Sequence, residues 1–508
     1  MPELYERIFE LALNRSFFMP SNEPYGSVSG FYDYGPVGKL IKNKIEALWR
    51  RMFIREEEAH EVETSTITPE IVLKASGHVD SFADPIVECK LCKMRYRADT
   101  LVESKIKKGV ALGGEALWQW DGKLPTLDSA ITENGIRCNC KGELTNARMF
   151  NLMFKTEIGG DAAPAYCRPE TAQGIFTSFP RLFRNHGAKL PLAVAQIGKS
   201  FRNEISPRKS LVRMREFTQM ELEYFFNPNN TSINGFDKLA DTKMRFKIND
   251  KIEWKTTGEA VSQKLIPNEI FAYFLAKEWQ FYKLCGLQED KMYFRLLRDD
   301  ERPHYSKCNV DLEVETSHGA IEINGNAYRT DFDLSQHSKF SKQDMAVFVE
   351  EEKKKIMPHV FEASLGVDRL FFCILEHCFR DKQNKTENSK LETVKEWDWF
   401  DLPTRVAPYE FALFPLMKKD GLAEKARDIY DSLKSDFNIF YQESGGIGKR
   451  YARADEIGCV YACTVDYDAL KDNSVTIRYR NDGKQERIKI SVIKDKITEN
   501  IASARVTL

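Results

Sequence analysis

The sequence predicts an α+β protein: an antiparallel sheet built from most of the chain, a smaller α/β domain at the C-terminal end, and a small cysteine-bearing insertion. Three observations carry this prediction. Between Ala193 and Tyr224 two stretches alternate apolar and polar residues around a basic loop, the pattern of a long hairpin. Beyond about Arg405 the pattern becomes apolar run, helical stretch from Leu422 to Leu433, then N-I-F-Y, C-V-Y-A-C-T-V and V-T-I-R-Y-R. A polar, glycine-punctuated segment at 81–148 holds Cys89-Lys-Leu-Cys92 and Cys138-Asn-Cys140.

With 508 residues, 42% hydrophobic and 30% charged, the chain exceeds a single core and has the composition of a soluble globular protein. Its formal net charge of -1 means that a nucleic-acid partner would be held by local patches. No apolar run reaches membrane-spanning length, and the start lacks the charged-then-apolar pattern of a signal peptide. Glu3, Glu6 and Glu10 argue against a transit peptide, so a cytoplasmic location is expected.

Taken in order, the Leu4, Ile8, Leu11 spacing predicts a first helix. A second begins at Pro36, with proline in its first turn and a stripe at Val37, Ile41, Ile45, Leu48 and Met52. A strand-like E-V-E-T-S-T-I-T-P ends at Pro69. These make the first segment, 1–80; the insertion follows at 81–148, and 149–226 resumes a strand-and-loop pattern. A second insertion is expected at 227–305, with Asn/Pro turns, a short polar strand pattern, an apolar-striped helix near Ile270 to Leu284 and no recognisable chemistry. The segment 306–400 returns to the main fold, with a mobile loop expected near Asp381 to Glu396, and 405–508 forms the last domain.

In the hairpin, alternation puts Gln196, Ser200, Arg202 and Glu204 on one face and Ala193, Ala195, Ile197 and Phe201 on the other. On the returning strand Phe217, Gln219, Glu221 and Glu223 share a face, while Thr218, Met220, Leu222 and Tyr224 form the apolar side. Guanidinium for phosphate, a flat ring for a base and carboxylates for amino groups suit a nucleotide; a solvated face laced with ion pairs is the other reading. The cysteine pairs suit a four-thiolate zinc knuckle (Cys89, Cys92, Cys138, Cys140), against the alternative of four reduced thiols in two loops. In P-H-V-F-E-A-S-L-G-V-D-R-L-F-F-C-I-L, Pro358 to Leu375, a strand ends at Glu362-Ala363-Ser364, Gly366 turns, and Arg369 enters an apolar helix. Gly445-Gly446-Ile447-Gly448-Lys449 lacks P-loop spacing, and no G-x-G-x-x-G follows a strand, so phosphate would be gripped by arginines.

In this order the stretches resemble class II aminoacyl-tRNA synthetases: the Pro36 helix and following strand as motif 1, the hairpin as motif 2, Pro358–Leu375 as motif 3. The words R-P-E-T-A-Q-G-I-F, S-F-R-N-E-I-S-P-R and G-K-R-Y-A-R-A-D-E-I-G are similar to those of homodimeric glycyl-tRNA synthetases, and the resemblance runs almost from Tyr5 to the end. It implies ATP-dependent attachment of glycine to the 3′ end of tRNA-Gly through glycyl-adenylate, with Mg²⁺, a homodimer formed through motif 1, and a C-terminal anticodon-binding domain. Carried onto this chain, it implies Arg202 on the α-phosphate, Glu204 on the adenine amino group, Phe217 stacking on adenine and Arg369 over the other face. Glu322 would help hold Mg²⁺, with Asn203, Arg213, Met214 and Ile323 as further ATP contacts. Glycine would be held by Glu170, Glu221, Glu362, Ala363 and Ser364, with Arg329 near its carboxylate.

Such a site recognises charged ends and fills the space of a Cβ, so no editing domain is expected. In the last domain Lys449, Arg450 and Arg453 would meet phosphates and Tyr451 would stack a base, a solvated helix face being the other reading of the same charges. Two departures stand out: Gly366-Val367-Asp368-Arg369 where the family often has G-L-G-R, and Asn326-Ala327-Tyr328-Arg329 where I-A-D-R is common. Asp368 is expected to cap its helix. An inactive nucleic-acid-binding relative would lose Arg202, Glu204 and Arg369 first, and all are present; a synthetase for serine, threonine or proline would differ around Glu170.

Overall fold

Nine strands form the main sheet among the residues that the computed structural model describes, which are 3–106, 120–205, 207, 210–249, 251–299, 301–303, 305–350, 352–382 and 396–503. They are β1 (His60–Glu61), β2 (Leu192–Phe201), β3 (Glu216–Phe226), β4 (Lys243–Ile248), β5 (Lys251–Thr256), β6 (Met292–Leu296), β7 (Cys308–Thr316), β8 (Gly319–Thr330) and β9 (His359–Gly366). The order across the sheet is β5-β4-β6-β7-β8-β9-β3-β2-β1. Pairing is antiparallel except at β1 with β2 and β4 with β6. The long hairpin is in unbroken register from Leu192 opposite Phe225 to Phe201 opposite Glu216. Most of the loop expected to mobilise at 381–396 and part of the basic hairpin loop lie outside the described residues.

The helices that build the layers are α1 (Pro36–Trp49), α2 (Ala172–Asn185), α3 (Glu269–Cys285), α4 (Phe332–Ser341) and α5 (Val367–Cys378). Ala193, Ala195, Met220, Leu222 and Tyr224 turn to the face where α1, α3 and α5 pack, as the alternation predicts. On the opposite face, Val194 and Phe225 meet Phe176, Phe179 and Leu334 of α2 and α4. Those two helices cover one end of that face only, and the uncovered middle is where a ligand has access.

Local signals explain the helices. Proline opens α1, and its predicted stripe of Val37, Ile41, Ile45 and Leu48 is buried. The predicted continuation through Met52 is a π-helical turn, Arg50–Arg55. Asn268 caps α3 by accepting from the Phe271 N–H at 2.9 Å, and Gly286 ends it in the left-handed region, φ 102°.

Two expectations need correction. The strand expected from Glu61 to Pro69 is broken: β1 pairs with β2, while Ile67–Pro69 joins a separate sheet with Phe154–Ile158 and Ala163–Cys167. The stretch 227–305, expected as a second insertion, is continuous with the main fold. Its β4, β5 and β6 extend the main sheet, and Phe271, Phe274, Leu275 and Trp279 of α3 are buried in the main core. The short strand pattern is the local hairpin of β4 with β5, and what the sequence does not show is the pairing of β4 with β6 and of β6 with β7 that carries it into the main sheet. The cysteine-bearing insertion has its own small core and sheet, Arg95–Arg97, Ala83–Glu88 and Arg148–Asn151.

In the last domain β10 (Phe411–Pro415), β11 (Ile439–Tyr441), β12 (Tyr461–Val465), β13 (Ser474–Tyr479) and β14 (Gln485–Lys489) take the order β11-β10-β12-β13-β14, parallel for the first three. Helices α6 (Leu422–Leu433), α7 (Ile447–Glu456) and α8 (Ile493–Ser503) accompany them. Ion pairs such as Lys44–Glu410 at 2.7 Å and Arg15–Glu456 at 2.6 Å join this domain to the first.

The seat of α1 is tight. A Cβ on Gly38 would stand 1.8 Å from the Phe17 carbonyl oxygen, a backbone atom with no room to yield. Gly38→Ala is therefore expected to cost more than about 2 kcal/mol, read as a lower denaturant midpoint; an unchanged midpoint would contradict this packing.

Candidate active site

The uncovered middle of the sheet is a cavity of about 470 Å³. Of the residues singled out for a nucleotide, Arg202, Glu204, Arg213, Met214, Phe217, Glu322, Ile323 and Arg369 line it. Of those singled out for a small amino acid, Glu170, Glu221, Glu362 and Ser364 do. Three do not line it. Asn203 spends its backbone N–H on the Leu152 carbonyl, 2.6 Å away. Ala363 alternates to the other face of β9 and joins the core. Arg329 lies behind the cavity wall, 1% exposed. Gln196 and Ser200, expected on the same face, are fully buried beneath it.

Hairpin geometry sets the nucleotide end. The Arg202 guanidinium carbon is 5.3 Å from the centroid of Phe217 and 5.4 Å from that of Phe82, and its Nε donates to the Pro169 carbonyl at 3.2 Å. Arg213 lies 3.4 Å from the Glu204 carboxylate. Arg369 is aimed by backbone carbonyls: Nε donates to Val212 O at 3.1 Å and Nη1 to Glu322 O at 2.8 Å. The Glu322 carboxylate is 3.7 Å from Arg369 and shares its surroundings with Asp311 on the neighbouring strand. A Cβ on Gly325 would lie 3.7 Å from Asp311 Oδ1 and 4.0 Å from Glu322 Oε1, so both acids border one opening. Burial, then Glu322, pushes the Asp311 carboxyl up to about 8.

At the other end, Arg168 passes beneath Gly198, where a Cβ would come within 2.3 Å of its guanidinium, and donates to the Lys199 and Thr64 carbonyls at 2.8 and 2.9 Å. That anchors the loop that presents Glu170. Gln173 donates to Glu170 at 2.9 Å, and His78 approaches it to 3.4 Å. Burial alone would raise the Glu170 carboxyl, but His78, Arg329 and Gln173 hold it well below the ordinary range. Glu221 accepts from Ser364 at 2.7 Å, from Gln219 at 2.9 Å and from the Thr171 hydroxyl. Burial, then the charge of Glu170, raises its carboxyl.

Arg329 is clamped instead of free. It donates to Asp333 at 2.6 and 2.8 Å and to Glu362, and lies over the Tyr305 ring at 4.1 Å. This corrects the expectation that it meets a substrate carboxylate directly, since its donors are spent on protein acids. Even so, burial keeps Glu362 raised to about 8: Arg329 opposes it, and the charges of Glu221 and Glu170 add to it. Glu223, beside Glu362 in the ladder, is fully buried with both oxygens unpartnered, and burial followed by the charge of Glu362 raises it well above the carboxylate range. In the departure at Asn326-Ala327-Tyr328, Asn326 faces away and donates to Glu278 of α3 at 3.0 Å. Tyr328 shares a hydrogen bond with His359 at 2.6 Å, so neither disturbs Arg329.

Asp368 does not cap its helix. The cap position is Gly366, without a side-chain bond, and both Asp368 oxygens are turned inward to the Tyr34 hydroxyl and the Thr218 N–H.

Sequence reasoning missed His78, Phe82, Asn309, Asp311 and Tyr305, all of which line the cavity, while Gln219 lines it on the face that alternation gave it. Asp333 could have been found four residues after Arg329, on the helix that follows. His78 and Asp311 carry no local signal.

In the insertion, Cys89, Cys92, Cys138 and Cys140 gather with all four sulfurs within 4.8 Å of one another. The closest pairs, Cys89–Cys140 and Cys92–Cys138, are 3.5 Å apart, far beyond a disulfide and near the roughly 3.8 Å edge of a tetrahedron with 2.3 Å Zn–S bonds. A Cβ on Gly142 would meet Cys89 Sγ at 2.6 Å, so the knuckle closes on that glycine. The Tyr96 hydroxyl, 3.1 Å away, draws the Cys138 thiol down to about 6.

In the last domain two expectations fail. Arg450 is 1% exposed and donates to the carbonyls of Pro415 and Leu416 at the end of β10; Tyr451 bonds Thr464 at 2.6 Å beneath Arg478. Lys449 is exposed and Arg453 half-buried on the same helix.

Comparisons with known proteins agree with this arrangement. Residues 154–378 match the family described as tRNA synthetase class II core domain (G, H, P, S and T), and residues 410–500 match Anticodon binding domain. The chain is 36% identical to the glycine–tRNA ligase of Methanocaldococcus jannaschii, covering 98% of this chain and 99% of that protein. It is 37% identical to the one of Pyrococcus furiosus, covering 98% and 99%. A crystal structure of prolyl-tRNA synthetase from Cryptosporidium parvum superposes with a TM-score of 0.58 at 12% identity, covering 99% of this chain and 78% of that chain, a likeness of fold.

The buried acids give a stability signature. Where the folded carboxyl is raised, the unfolded chain releases its proton first, so stability is full below the ordinary carboxyl range and is lost as pH rises toward about 8. Glu223→Gln, which replaces a carboxyl that burial keeps neutral, is expected to lose less in melting temperature between pH 6 and pH 8 than the parent does. Equal losses in both proteins would contradict a neutral Glu223.

Proposed function

The chain belongs to the glycine–tRNA ligases, and from that membership we propose how its cavity divides the work. The activity is ATP-dependent attachment of glycine to the 3′ end of tRNA-Gly through a glycyl-adenylate intermediate. In the proposed division Arg202, Arg213 and Arg369 take the phosphates, Phe217 and Arg369 enclose the adenine, and Glu204 accepts from its amino group, with Met214 and Ile323 along the walls. Glu170, Glu221, Glu362 and Ser364 receive glycine.

One observation carries the glycine assignment. Glu170, Glu221, Glu223, Glu362 and Asp333 crowd round Arg329, with Arg168 in reach of Glu221, so acids outnumber permanent cations in the wall. The ammonium of a small amino acid supplies positive charge there. With nitrogen held there, the carboxylate points toward Arg202, and the reaction is positioning and charge neutralisation. A glycine oxygen attacks the α-phosphorus, pyrophosphate leaves, and a terminal tRNA hydroxyl then attacks the carbonyl carbon and releases AMP. Glu322 and Asp311 are hard oxygen donors bordering one opening, and they fit Mg²⁺; when bound, the ion neutralises charge on the departing phosphates.

The four-thiolate cluster fits zinc, which would tie the loops of the insertion together. Exposed Lys449, with Arg453, is assigned to tRNA phosphates. Catalytic segments are 1–80, 149–226 and 306–400, with 227–305 counted as part of the same sheet, and 405–508 reads the tRNA. A homodimer is assigned on the exposed Ile67, Ile71 and Ile158 beside the motif 1 region, and the cytoplasm is the assigned compartment; among the described residues no helix is long and apolar enough to cross a membrane.

Three measurements test this reading. ATP–pyrophosphate exchange should depend on glycine, with alanine and serine inert, and Arg202→Ala should lower it about 100-fold or more while tRNA binding persists. Exchange with serine equal to that with glycine would overturn the assignment. Because an ammonium must displace the proton that Glu362 holds below about 8, the KM for glycine should fall as pH rises from 6 to 8; a flat profile would remove the acidic wall from recognition. Metal analysis should find one zinc per chain, lost in Cys138→Ser, and a metal-free protein with unchanged melting would refute the knuckle.

A further inference from the structure

We propose that Asp368 is a positioning residue that sets the width of the nucleotide slot by capping the sheet where β9 turns into α5. The inference rests on the reading of the cavity given above. β3 pairs with β9 only as far as Gln219 opposite Gly366; the next residue on the β9 side, Val367, already begins α5. The backbone N–H of Thr218 therefore runs out of ladder partners in a buried place, where an unpaired donor is costly. Asp368 Oδ2 accepts it at 2.6 Å. Asp368 Oδ1 accepts from the Tyr34 hydroxyl, also at 2.6 Å. Thr218 Oγ1 in turn accepts from Lys42 Nζ at 2.8 Å, and Lys42 is 3.3 Å from Glu46 on α1. Asp368, Thr218 and Lys42 are all buried, so these bonds face no competing water.

The position of this knot is what matters. Thr218 follows Phe217 directly, and Asp368 precedes Arg369 directly; Phe217 and Arg369 are the groups assigned to opposite faces of the adenine. One carboxylate thus ties the strand that carries one wall to the helix that carries the other. Removing it leaves each wall in place and frees the distance between them. An acid at 368 is therefore explained by the strand end it satisfies, and its helix has no part in the explanation.

The test uses the full-length enzyme and glycine-dependent ATP–pyrophosphate exchange. Asp368→Ala should raise the KM for ATP about tenfold or more while the KM for glycine stays within about twofold. Tyr34→Phe, which deletes one bond and keeps the ring against Phe371, should raise the KM for ATP by less. The pair together should be no worse than Asp368→Ala alone, because Tyr34 acts through Asp368. If both KM values rise together, or only the melting temperature moves, Asp368 is a structural acid and the proposal is wrong. Should Asp368→Ala fail to fold, the KM split in Tyr34→Phe decides the question by itself. Failure of the parent enzyme to exchange with glycine would instead strike the functional reading, which separates the two.

Discussion

The buried guanidinium of Arg329 is the interaction on which the site depends. It reaches Asp333 on α4 and Glu362 on β9 from β8, and it lies against Phe176 of α2 and Tyr305, so one side chain joins four elements around one end of the cavity. A charge taken so far from water persists only among opposite charges, and removing one member of such a set typically costs about 3–5 kcal/mol. Here the acids exceed the cation. The wall is stable because some carboxyls keep their protons, and that same surplus makes it receptive to an ammonium. Fold and recognition are thus served by one imbalance: full neutralisation by a second arginine would make a quieter core and remove the attraction for substrate.

The sheet explains why the imbalance is accessible. Its β3 and β9 carry acids on one face and core residues on the other by simple alternation, so Glu221, Glu223 and Glu362 become neighbours without any loop to arrange them. α2 and α4 close one end of that face, which buries Glu223 entirely and leaves Glu221 and Glu362 at the margin of the cavity. A rigid ladder places charge more reproducibly than a loop does, which suits an enzyme whose chemistry is alignment.

Much of this was legible in the sequence because its signals are local. The hairpin alternation from Ala193 to Tyr224 and the strand-to-helix passage around Gly366 appear as read, and the four cysteines gather although 45 residues of sequence separate the two pairs by simple count from Cys92 to Cys138. What failed was non-local. Within 227–305 the hairpin of β4 with β5 is local, but the pairings of β4 with β6 and of β6 with β7 that join it to the main sheet are ones that no short window shows. Arg329 and Arg450 look like ligand contacts by charge, yet Arg329 is consumed by Glu362 of β9 as well as by Asp333 four residues on, and Arg450 by carbonyls at the end of β10. Asp368 was misassigned for the same reason: its place in a first helical turn suggests a cap, and the donor it satisfies lies 150 residues earlier.

That last case shows how the three motifs become one site. Tyr34 and Lys42 come from the motif 1 region, Thr218 from motif 2 and Asp368 from motif 3, and they meet in a single buried set of hydrogen bonds. Because α1 is pressed against Phe17 with no room for a Cβ at Gly38, it cannot drift from that knot without unpacking the N-terminal segment. The helix therefore acts as a fixed reference for both the hairpin and α5. Phe217 and Arg369 inherit their spacing through the bonds of Asp368 to the Thr218 N–H and the Tyr34 hydroxyl, both 2.6 Å, and Lys42 ties Thr218 to α1 at 2.8 Å. A motif remote from the reacting atoms can in this way govern their geometry: it contributes no contact to the substrate and determines where the contacts stand.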